Sequence, residues 1–177
     1  MSNTVKGIKR KGSLLVRNKT EDAWFSREIE AMAPTMFRVA FAILRNRTDS
    51  EDAAQNAVLK AYANLDTLQE KRYFRTWMVR ILKNECLNFR RSQKPVSDLD
   101  AHTDLGYDME VPDLDLNRAF DRLSPDERIA IALYYYDGYS THEIARICEV
   151  SDGTIRSRLS RARESLRKQL SEEETQQ

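Results

Sequence analysis

The sequence predicts an all-α protein in which a flexible acidic linker joins two small helical domains. The first observation is that 5 Gly and 4 Pro among 177 residues are too few to punctuate an all-β sandwich. The second is that apolar residues recur at helical spacing in both halves of the chain. The third is the segment 95–113, which combines two Pro, one Gly and a dense run of acids with little apolar content. Such a segment is typical of a linker.

The first half of the chain predicts a basic arm and a bundle of three or four helices. Residues 1–22 are expected to be a flexible arm, because residues 1–19 hold six Lys or Arg, no acid and no periodicity. Helical spacing begins near Trp24, and after a break Ser50 is predicted to cap the second helix. A third helix, from about Tyr73 to Arg91, completes a first domain over residues 23–94. The second helix is expected to bury Ala54, Val58, Ala61 and Leu65.

The second half predicts a helix-turn-helix domain over residues 114–171, followed by an acidic tail at 172–177. Ser124-Pro125-Asp126-Glu127 is a capping box with Pro at the first helical position, and Asp137-Gly138 ends that helix. A second capping box starts at Ser140, and Ser151 is predicted to cap a last helix that runs to about Leu170. Two short helices and a tight turn before a long basic helix are typical of a helix-turn-helix.

Charge is strongly segregated along the chain, although 29 basic and 28 acidic residues leave a net charge of only +1. Residues 71–94 hold eight basic residues and one acid, whereas residues 98–115 hold seven acids and no Lys or Arg. Separation on this scale indicates faces that bind a polyanion, joined by an acidic connector.

Several classes of function find no support in the residues. Cys86 and Cys148 fall among apolar helical positions, which is typical of reduced thiols in a cytosolic protein. His102 and His142 have no second ligand at a useful spacing, so neither a metal nor another cofactor is expected. The chain has no catalytic motif, no signal peptide and no apolar run of the roughly 20 residues that span a bilayer. We therefore expect a non-enzymatic cytoplasmic protein without stable membrane insertion.

The last helix carries the strongest functional signal. Residues 151–170 hold six basic residues and two acids, and the apolar side of the helix is a narrow stripe. Charge alone would fit a solvated basic helix, but the preceding turn and scaffold helix favour a helix that enters a major groove of DNA. There, Arg side chains can read guanine edges and hydroxyls can reach bases or phosphates. The apolar stripe is Ile155, Leu159, Ala162, Leu166 and Leu170, and the residues pointing away from it are Arg156, Ser157, Ser160 and Arg161.

The third predicted helix carries a second signal, a polar stripe opposite its aromatic side. Basic groups and amides beside Tyr73, Phe74 and Trp77 suit single-stranded nucleic acid, whose unstacked bases need edge contacts and stacking platforms. The alternative is that Phe74 and Trp77 are core residues. The stripe consists of Arg80, Lys83, Asn84, Asn88 and Arg91, and a polar segment, Gln69-Glu70-Lys71-Arg72, precedes it.

The second predicted helix carries a third and weaker signal. Asp52, Gln55 and Leu59 form one stripe that faces away from the predicted buried residues. Such a stripe is ordinary solvated surface, or it docks a helix of a partner protein.

Taken in order, these segments resemble the extracytoplasmic-function class of bacterial RNA polymerase sigma factors. SEDAAQNAVLKAYANL is similar to the core-binding helix of sigma region 2, and RYFRTWMVRILKNECLNFRR to its promoter-melting segment. LSPDERIAIALYYYDGYSTHEIARICEVSDGTIRSRLSRARESLRKQL resembles region 4 nearly end to end. The resemblance covers about residues 23–94 and 114–170. Asn56 and Val58 depart from it, since Glu and Phe are common there.

The resemblance implies an alternative sigma factor that recruits core RNA polymerase to promoter DNA in a stress response. Asp52, Gln55 and Leu59 would bind the clamp helices of the β′ subunit, while region 4 packs on the β flap. The linker would thread towards the RNA exit path, and an anti-sigma factor would restrain the protein. The residues implied at the minus-thirty-five element are Thr154, Arg156, Ser157, Ser160 and Arg161. At the minus-ten element, the resemblance implies three roles. A flipped base would be captured by Leu68, Gln69, Glu70, Lys71 and Arg72, and the neighbouring base would be read by Asn84. The phosphates would be held by Arg80, Lys83, Arg90 and Arg91.

Two other classes of protein compete with this interpretation. A self-sufficient helix-turn-helix regulator, with the first bundle as a dimerisation or sensing domain, would bind a palindromic duplex without polymerase. The Asn and Arg stripe beside aromatics argues against it, because a sensing bundle needs no such stripe. A purely structural helical protein would leave the basic face of residues 151–170 unexplained.

Overall fold

The computed structural model describes residues 19–92 and 119–174, and every regular element in this part of the chain is helical. The all-α prediction is therefore confirmed for both modules. The predicted linker at 95–113 lies outside the described residues, as do residues 1–18 of the predicted arm and 175–177 of the predicted tail.

The first module consists of three helices that pack pairwise on one another. They are α1 (Lys19–Leu44), α2 (Arg47–Ala63) and α3 (Phe74–Ser92). Two single turns of 3-10 helix, Leu65–Thr67 and Lys71–Tyr73, connect α2 to α3. Helix α1 begins before the periodic signal near Trp24, because Glu21 and Asp22 in its first turn favour a helix start without contributing apolar residues. The deepest side chains of this module are Met32, Val39, Ile43, Phe74, Met78, Val79 and Leu82.

The start of α2 differs from the prediction. Asn46, not Ser50, is the N-cap: its side-chain oxygen accepts from the Asp49 backbone N–H at 2.9 Å. Ser50 lies within the helix, is buried, and donates its hydroxyl to the Asn46 carbonyl. Asn is as good a cap as Ser, so local sequence did not distinguish the two positions.

The buried side of α2 is also shifted by one residue from the prediction. Ala53 and Ala57 are fully buried, whereas Ala54 and Val58 are only half-buried. Small side chains at the buried positions let the backbone of α2 approach α1 and α3 closely, and this packing outweighs the larger apolar area of Val58. Ala61 and Leu65 are buried as predicted.

In the part of the second module that the structure describes, three helices start at the predicted caps. They are α4 (Pro125–Ile131), continued by a π-helical turn at Ala132–Tyr136, α5 (Thr141–Cys148) and α6 (Asp152–Glu174). Ser124 and Ser140 form complete capping boxes, and the Ser151 hydroxyl accepts from the Thr154 N–H at 3.1 Å. Gly138 follows the π-helical turn with φ +69°, a conformation that favours glycine. Helix α6 extends past the expected end near Leu170.

The two modules pack together around one continuous hydrophobic cluster. Helix α1 packs against α4 and the π-helical turn, while α3 packs against α5. The sequence did not predict how the two modules pack together, because the periodicity of apolar residues along a helix does not indicate which distant surface will cover it. Within residues 19–92 and 119–174, no helix combines the length and apolarity that crossing a membrane requires.

Candidate nucleic-acid interface

Helix α6 presents the predicted recognition face to solvent. Ile155, Leu159 and Ala162 are buried against the rest of the second module and fix the orientation of the helix. On the opposite side Arg156, Ser157, Ser160 and Arg161 are exposed, and Thr154 is half-buried at the helix start, 2.8 Å from the Ser151 hydroxyl. The structure therefore brings the five predicted residues to one end and one face of a single helix.

Three arginines of α6 have acidic neighbours, and the pairs differ in exposure. Arg156 lies 3.0 Å from Asp152 and Arg161 lies 3.8 Å from Glu127, with both guanidinium groups mostly exposed. Arg158 is only 15% exposed and pairs with Asp126 at the start of α4. Exposed pairs of this kind contribute little to stability, so Arg156 and Arg161 can exchange partners at low cost. Arg158, counted in the sequence only as additional positive charge, instead fixes α6 against α4.

The predicted base-capture segment borders a cavity of about 380 Å³. Leu68 and Gln69 line it from the loop between α2 and α3, and Trp77 and Arg80 line it from the first turns of α3. Glu70, Lys71 and Arg72 are exposed beside it but do not line it. The remaining lining residues are Thr67, Tyr73, Thr76 and, from α5 of the second module, Arg146. An aromatic wall with polar and cationic groups around it suits a nucleobase with its phosphate.

The aromatic residues around this cavity divide into core and lining. Phe74 is a core residue, in edge contact with Phe25 and Trp24 at ring-centroid distances of 5.7 and 5.1 Å. Trp77 is half-buried and Tyr73 is 40% exposed, so both keep ring surface towards the cavity. The core interpretation therefore holds for Phe74, and the stacking interpretation fits Trp77 and Tyr73.

Two cations of the capture segment lie over aromatic rings. The Lys71 ammonium is 4.6 Å from the centroid of Trp24, and the Arg72 guanidinium is 4.8 Å from that of Tyr73. Arg72 also pairs with Glu70 at 3.0 Å. The Lys71 contact holds the predicted segment against α1, whereas both Arg72 contacts are local to the segment and its adjoining turn. Each cation–π contact is worth only about 0.5–1 kcal/mol at an exposed site.

The polar stripe on α3 is exposed except at Lys83. Arg80, Asn84, Arg90 and Arg91 are exposed as expected. The Lys83 side chain is only 8% exposed, and its ammonium group lies 3.5 Å from the Glu149 carboxylate after α5. The prediction of an exposed Lys83 is wrong, because the second module covers this position of α3.

The stripe predicted to dock a partner lies on the outer side of α2. Asp52 and Gln55 are exposed, and Leu59 is 68% exposed, more than any other large apolar side chain in the described part of the chain. Ala57 and Ala61, on the opposite side of the helix, are fully buried. Because most of the Leu59 side chain is exposed, the packing of the first module does not require an apolar residue at this position.

A buried arginine that the sequence analysis missed joins the modules. The Arg128 Nε donates to the Ala42 carbonyl at 2.6 Å, and its Nη1 donates to the Leu123 carbonyl at 2.6 Å. Burial lowers the pKa of Arg128 from 12.5 to about 10, with the nearby Arg45 adding to the shift. The sequence did contain a signal for this burial. Arg128 directly precedes the apolar run Ile129-Ala130-Ile131 and so occupies a position typical of a core residue.

Burial affects both cysteine thiols of the chain. Both cysteines are free, and burial raises the pKa of Cys86 from 9.0 to about 12 and also raises that of Cys148. A neutral buried thiol is a poor nucleophile. In the part of the chain that the structure describes, no group of three or more His, Cys, Asp or Glu is arranged to hold a metal ion.

Both modules match known protein families. The family described as "Sigma-70 region 2" matches residues 29–96, and "Sigma-70, region 4" matches residues 113–166. These two matches lie on the two helical modules, in the order that the resemblance requires.

Individual relatives give the same result. The chain is 30% identical over 174 residues to the ECF RNA polymerase sigma factor SigW of Bacillus subtilis, covering 88% of this chain and 92% of that protein. It is 34% identical over 137 residues to the ECF RNA polymerase sigma-E factor of Escherichia coli, covering 67% and 72% of the two chains. It is also similar, with a TM-score of 0.67 and 28% identity over 83% of this chain and 96% of the other, to the sigma factor RpoE of Bartonella quintana, solved in complex with the anti-sigma factor NepR. The chain therefore belongs to the extracytoplasmic-function class of sigma factors and directs promoter-specific initiation of transcription by RNA polymerase.

Proposed function

We propose that the chain uses its two modules on two promoter elements in two different ways. The exposed face of α6 reads the minus-thirty-five element as duplex, with Arg156 and Arg161 on base edges or phosphates. Thr154, Ser157 and Ser160 contribute hydroxyls on the same side. This face is exposed on a helix whose opposite side is buried, which suits a target whose shape does not change.

The cavity at the start of α3 takes a base of the melted minus-ten element. A base flipped from the non-template strand stacks on Trp77, and the loop from Leu68 to Arg72 closes over it. Asn84 contacts the next base, while Arg80, Lys83, Arg90 and Arg91 hold the phosphates. Trapping unpaired bases stabilises the open state, because the cost of unstacking is offset only when the flipped base is bound.

Core RNA polymerase is the protein partner with which the two modules act on the promoter. Asp52, Gln55 and Leu59 of α2 dock on the clamp helices of the β′ subunit, and the second module packs on the β flap. An exposed leucine that follows an acid and an amide on the same stripe is suited to a helical partner, since it offers apolar area with polar groups beside it. The linker at 95–113 follows the path towards the RNA exit.

An anti-sigma factor is the second protein partner. Support comes from the sigma factor RpoE of Bartonella quintana, which is similar to this chain and was solved in complex with NepR. Such a partner restrains the chain by covering the surfaces that polymerase and DNA would use.

The observation that carries the proposal is the cavity between the capture loop and α3, with Trp77 as its wall. The test is transcription in vitro with purified core polymerase on sheared DNA from the host, with and without the protein. New discrete start sites that share two upstream elements are expected only when the protein is present. If no transcripts appear and the protein alone shifts specific duplex fragments, the chain acts as a self-sufficient regulator instead.

A further inference from the structure

The cavity at the start of α3 has a lining residue that base capture does not explain. Tyr73, Trp77 and Arg80 line it from the end of the capture segment and from α3, whereas Arg146 lines it from α5. A base of a melted strand stacks on the aromatic side and finds a cation for its phosphate in Arg80. Arg146 therefore adds a second cation to a cavity that already has one.

The two cations at this cavity are not balanced by carboxylates of the described part of the chain. Within residues 19–92 and 119–174, neither Arg80 nor Arg146 forms an ion pair. The one acid of α5, Glu143, accepts from the Ser140 hydroxyl at 2.7 Å and from its N–H at 2.9 Å. These bonds hold the pKa of Glu143 below its usual value, with Arg146 a smaller cause. Two like charges at one cavity repel each other, and a bound anion removes that repulsion.

The other groups around the cavity suit the rest of a nucleotide. Tyr73 is 40% exposed and Trp77 is half-buried, so each offers ring surface on which a base can stack. The Gln69 amide has donors and an acceptor for a base edge, and the Thr76 hydroxyl can bond a sugar or phosphate oxygen. The volume of about 380 Å³ lies in the lower part of the range of small-molecule sites. The cavity therefore matches a single nucleotide in both size and chemistry.

The number of cations indicates which kind of phosphate the cavity would hold. A terminal phosphate monoester carries a charge between about −1.5 and −2 at neutral pH. A phosphodiester within a nucleic-acid strand carries only one negative charge. Two guanidinium groups, Arg80 and Arg146, balance the monoester and exceed the charge of one diester. The planar fork of each arginine can also bond two phosphate oxygens at once.

We propose that this cavity binds a free nucleoside 5′-monophosphate, with the base on Trp77 and Tyr73 and the phosphate between Arg80 and Arg146. The site uses the cavity of the proposed function but does not rest on base capture, because a free nucleotide binds without promoter DNA or polymerase. A nucleotide held in this way contacts both modules and therefore stabilises the folded chain. It also competes with a melted base for the ring of Trp77.

The test is isothermal titration calorimetry of the full-length chain with AMP, and with adenosine and inorganic phosphate as the two halves of that ligand. Arg146→Gln and Arg80→Gln each remove one guanidinium from an exposed position, so neither substitution disturbs the core. The matched control is Arg122→Gln, which makes the same charge change at an exposed position of the second module that does not line the cavity. Fluorescence anisotropy of a labelled single-stranded oligonucleotide without terminal phosphates reports binding of a strand by the same variants.

We expect saturable binding of AMP and much weaker binding of adenosine and of phosphate alone. Arg146→Gln and Arg80→Gln should each weaken AMP binding about tenfold, as expected for the loss of hydrogen bonds between charged groups, whereas Arg122→Gln should bind like the wild type. The oligonucleotide should lose affinity in Arg80→Gln but not in Arg146→Gln.

Three results would overturn the nucleotide site. The first is that the wild-type chain does not bind AMP, or binds one half of it as tightly as the whole. The second is that Arg146→Gln binds AMP with wild-type affinity. The third is that Arg146→Gln loses as much affinity for the oligonucleotide as for AMP, which would assign Arg146 to a strand. Failure of the proposed function would appear separately, as a wild-type chain that binds AMP but supports no transcription with core polymerase.

Discussion

The two basic helices of this protein, α3 and α6, offer similar chemistry to nucleic acid but in different states of access. On α6 the four outward residues of the recognition face are exposed, and its two arginines stay mostly exposed although they lie 3.0 and 3.8 Å from Asp152 and Glu127. On α3 one cation is covered, and the cavity beside the helix is shared with Arg146 of the other module. The difference teaches that charge alone does not define a binding face; access depends on what the rest of the chain packs against it.

A physical reason lies in the targets that we propose for the two faces. Duplex DNA presents its groove without first changing shape, so a face that reads it can be permanently exposed. A single strand exists at a promoter only after melting, and exposed stacking surfaces with cations would bind other single strands without selectivity. The second module, which covers Lys83 and places Arg146 at the cavity, limits how much of α3 is exposed in this way.

The difference in access between α3 and α6 depends on how the two modules pack together. Arg128 contributes most to this packing, because its side chain hydrogen-bonds to both modules. Arg128→Ala removes hydrogen bonds to the Ala42 and Leu123 carbonyls and leaves a cavity at the contact. We expect the free energy of unfolding to fall by about 3 kcal/mol, because hydrogen bonds from a buried charged group are among the stronger ones. Urea denaturation followed by circular dichroism measures it. Arg122→Ala, at an exposed position, serves as the control, and an equal loss there would contradict the role of Arg128.

The proposed reading of duplex DNA by the exposed face of α6 can be tested with Arg161→Ala. This variant should lose roughly 1–3 kcal/mol of binding to the upstream duplex element and relax sequence preference at one position. Binding of the polymerase complex to duplex fragments that carry single-base changes measures both effects. Arg167→Ala, farther along the same helix and outside the face, is the control. A uniform loss over all fragments would instead assign Arg161 to a phosphate.

The proposed docking of α2 on core polymerase can be tested with Leu59→Ser. Removing this exposed side chain should leave folding unchanged and weaken core polymerase binding about tenfold, since burying a leucine contributes about 1.5 kcal/mol or more. Fluorescence titration of labelled protein with core enzyme measures the affinity. Ala63→Ser, one turn farther along α2, is expected to bind normally. Normal affinity of Leu59→Ser would remove α2 from the docking surface.

The smallest expected effect belongs to the α3 face, at Asn84. Asn84→Ala should reduce the fraction of open promoter complexes several-fold, as expected for the loss of one hydrogen bond of about 1 kcal/mol. Duplex binding of the closed complex should not change. Permanganate reactivity of unpaired thymines reports opening, with Asn88→Ala as the neighbouring amide control. If Asn84→Ala and Arg161→Ala weakened duplex binding equally, the division of labour between the two helices would be wrong.

Local signals in the sequence were sufficient for most helix starts but not for all. Ser124, Ser140 and Ser151 cap the helices that they were expected to cap, because a hydroxyl near the first free N–H groups acts over a few residues. At α2 two good caps stood four residues apart, and the chain uses Asn46 rather than Ser50. Asn and Ser cap helices about equally well, so the local sequence did not distinguish the two positions.

The residues at the contact between the modules were beyond sequence reasoning. Lys83 has the helical spacing of the exposed stripe on α3, yet Glu149 covers it from 66 residues away. Asp137 was read as the end of a helix, which it is, but its partners Thr35 and Arg38 lie about a hundred residues earlier. Periodicity states which side of a helix is apolar, and it carries no information about which distant polar groups will meet.

The sequence by itself determined the helical class, the family and the chemical character of each face, because helix caps, apolar spacing and local charge act over a few residues. Only the tertiary structure decided which face is covered, since burial depends on which surfaces from distant parts of the chain fit together. Arg128, Asp137 and Lys83 are polar residues whose roles follow from that fit. The same fit leaves α6 accessible and places Arg146 at the cavity beside α3.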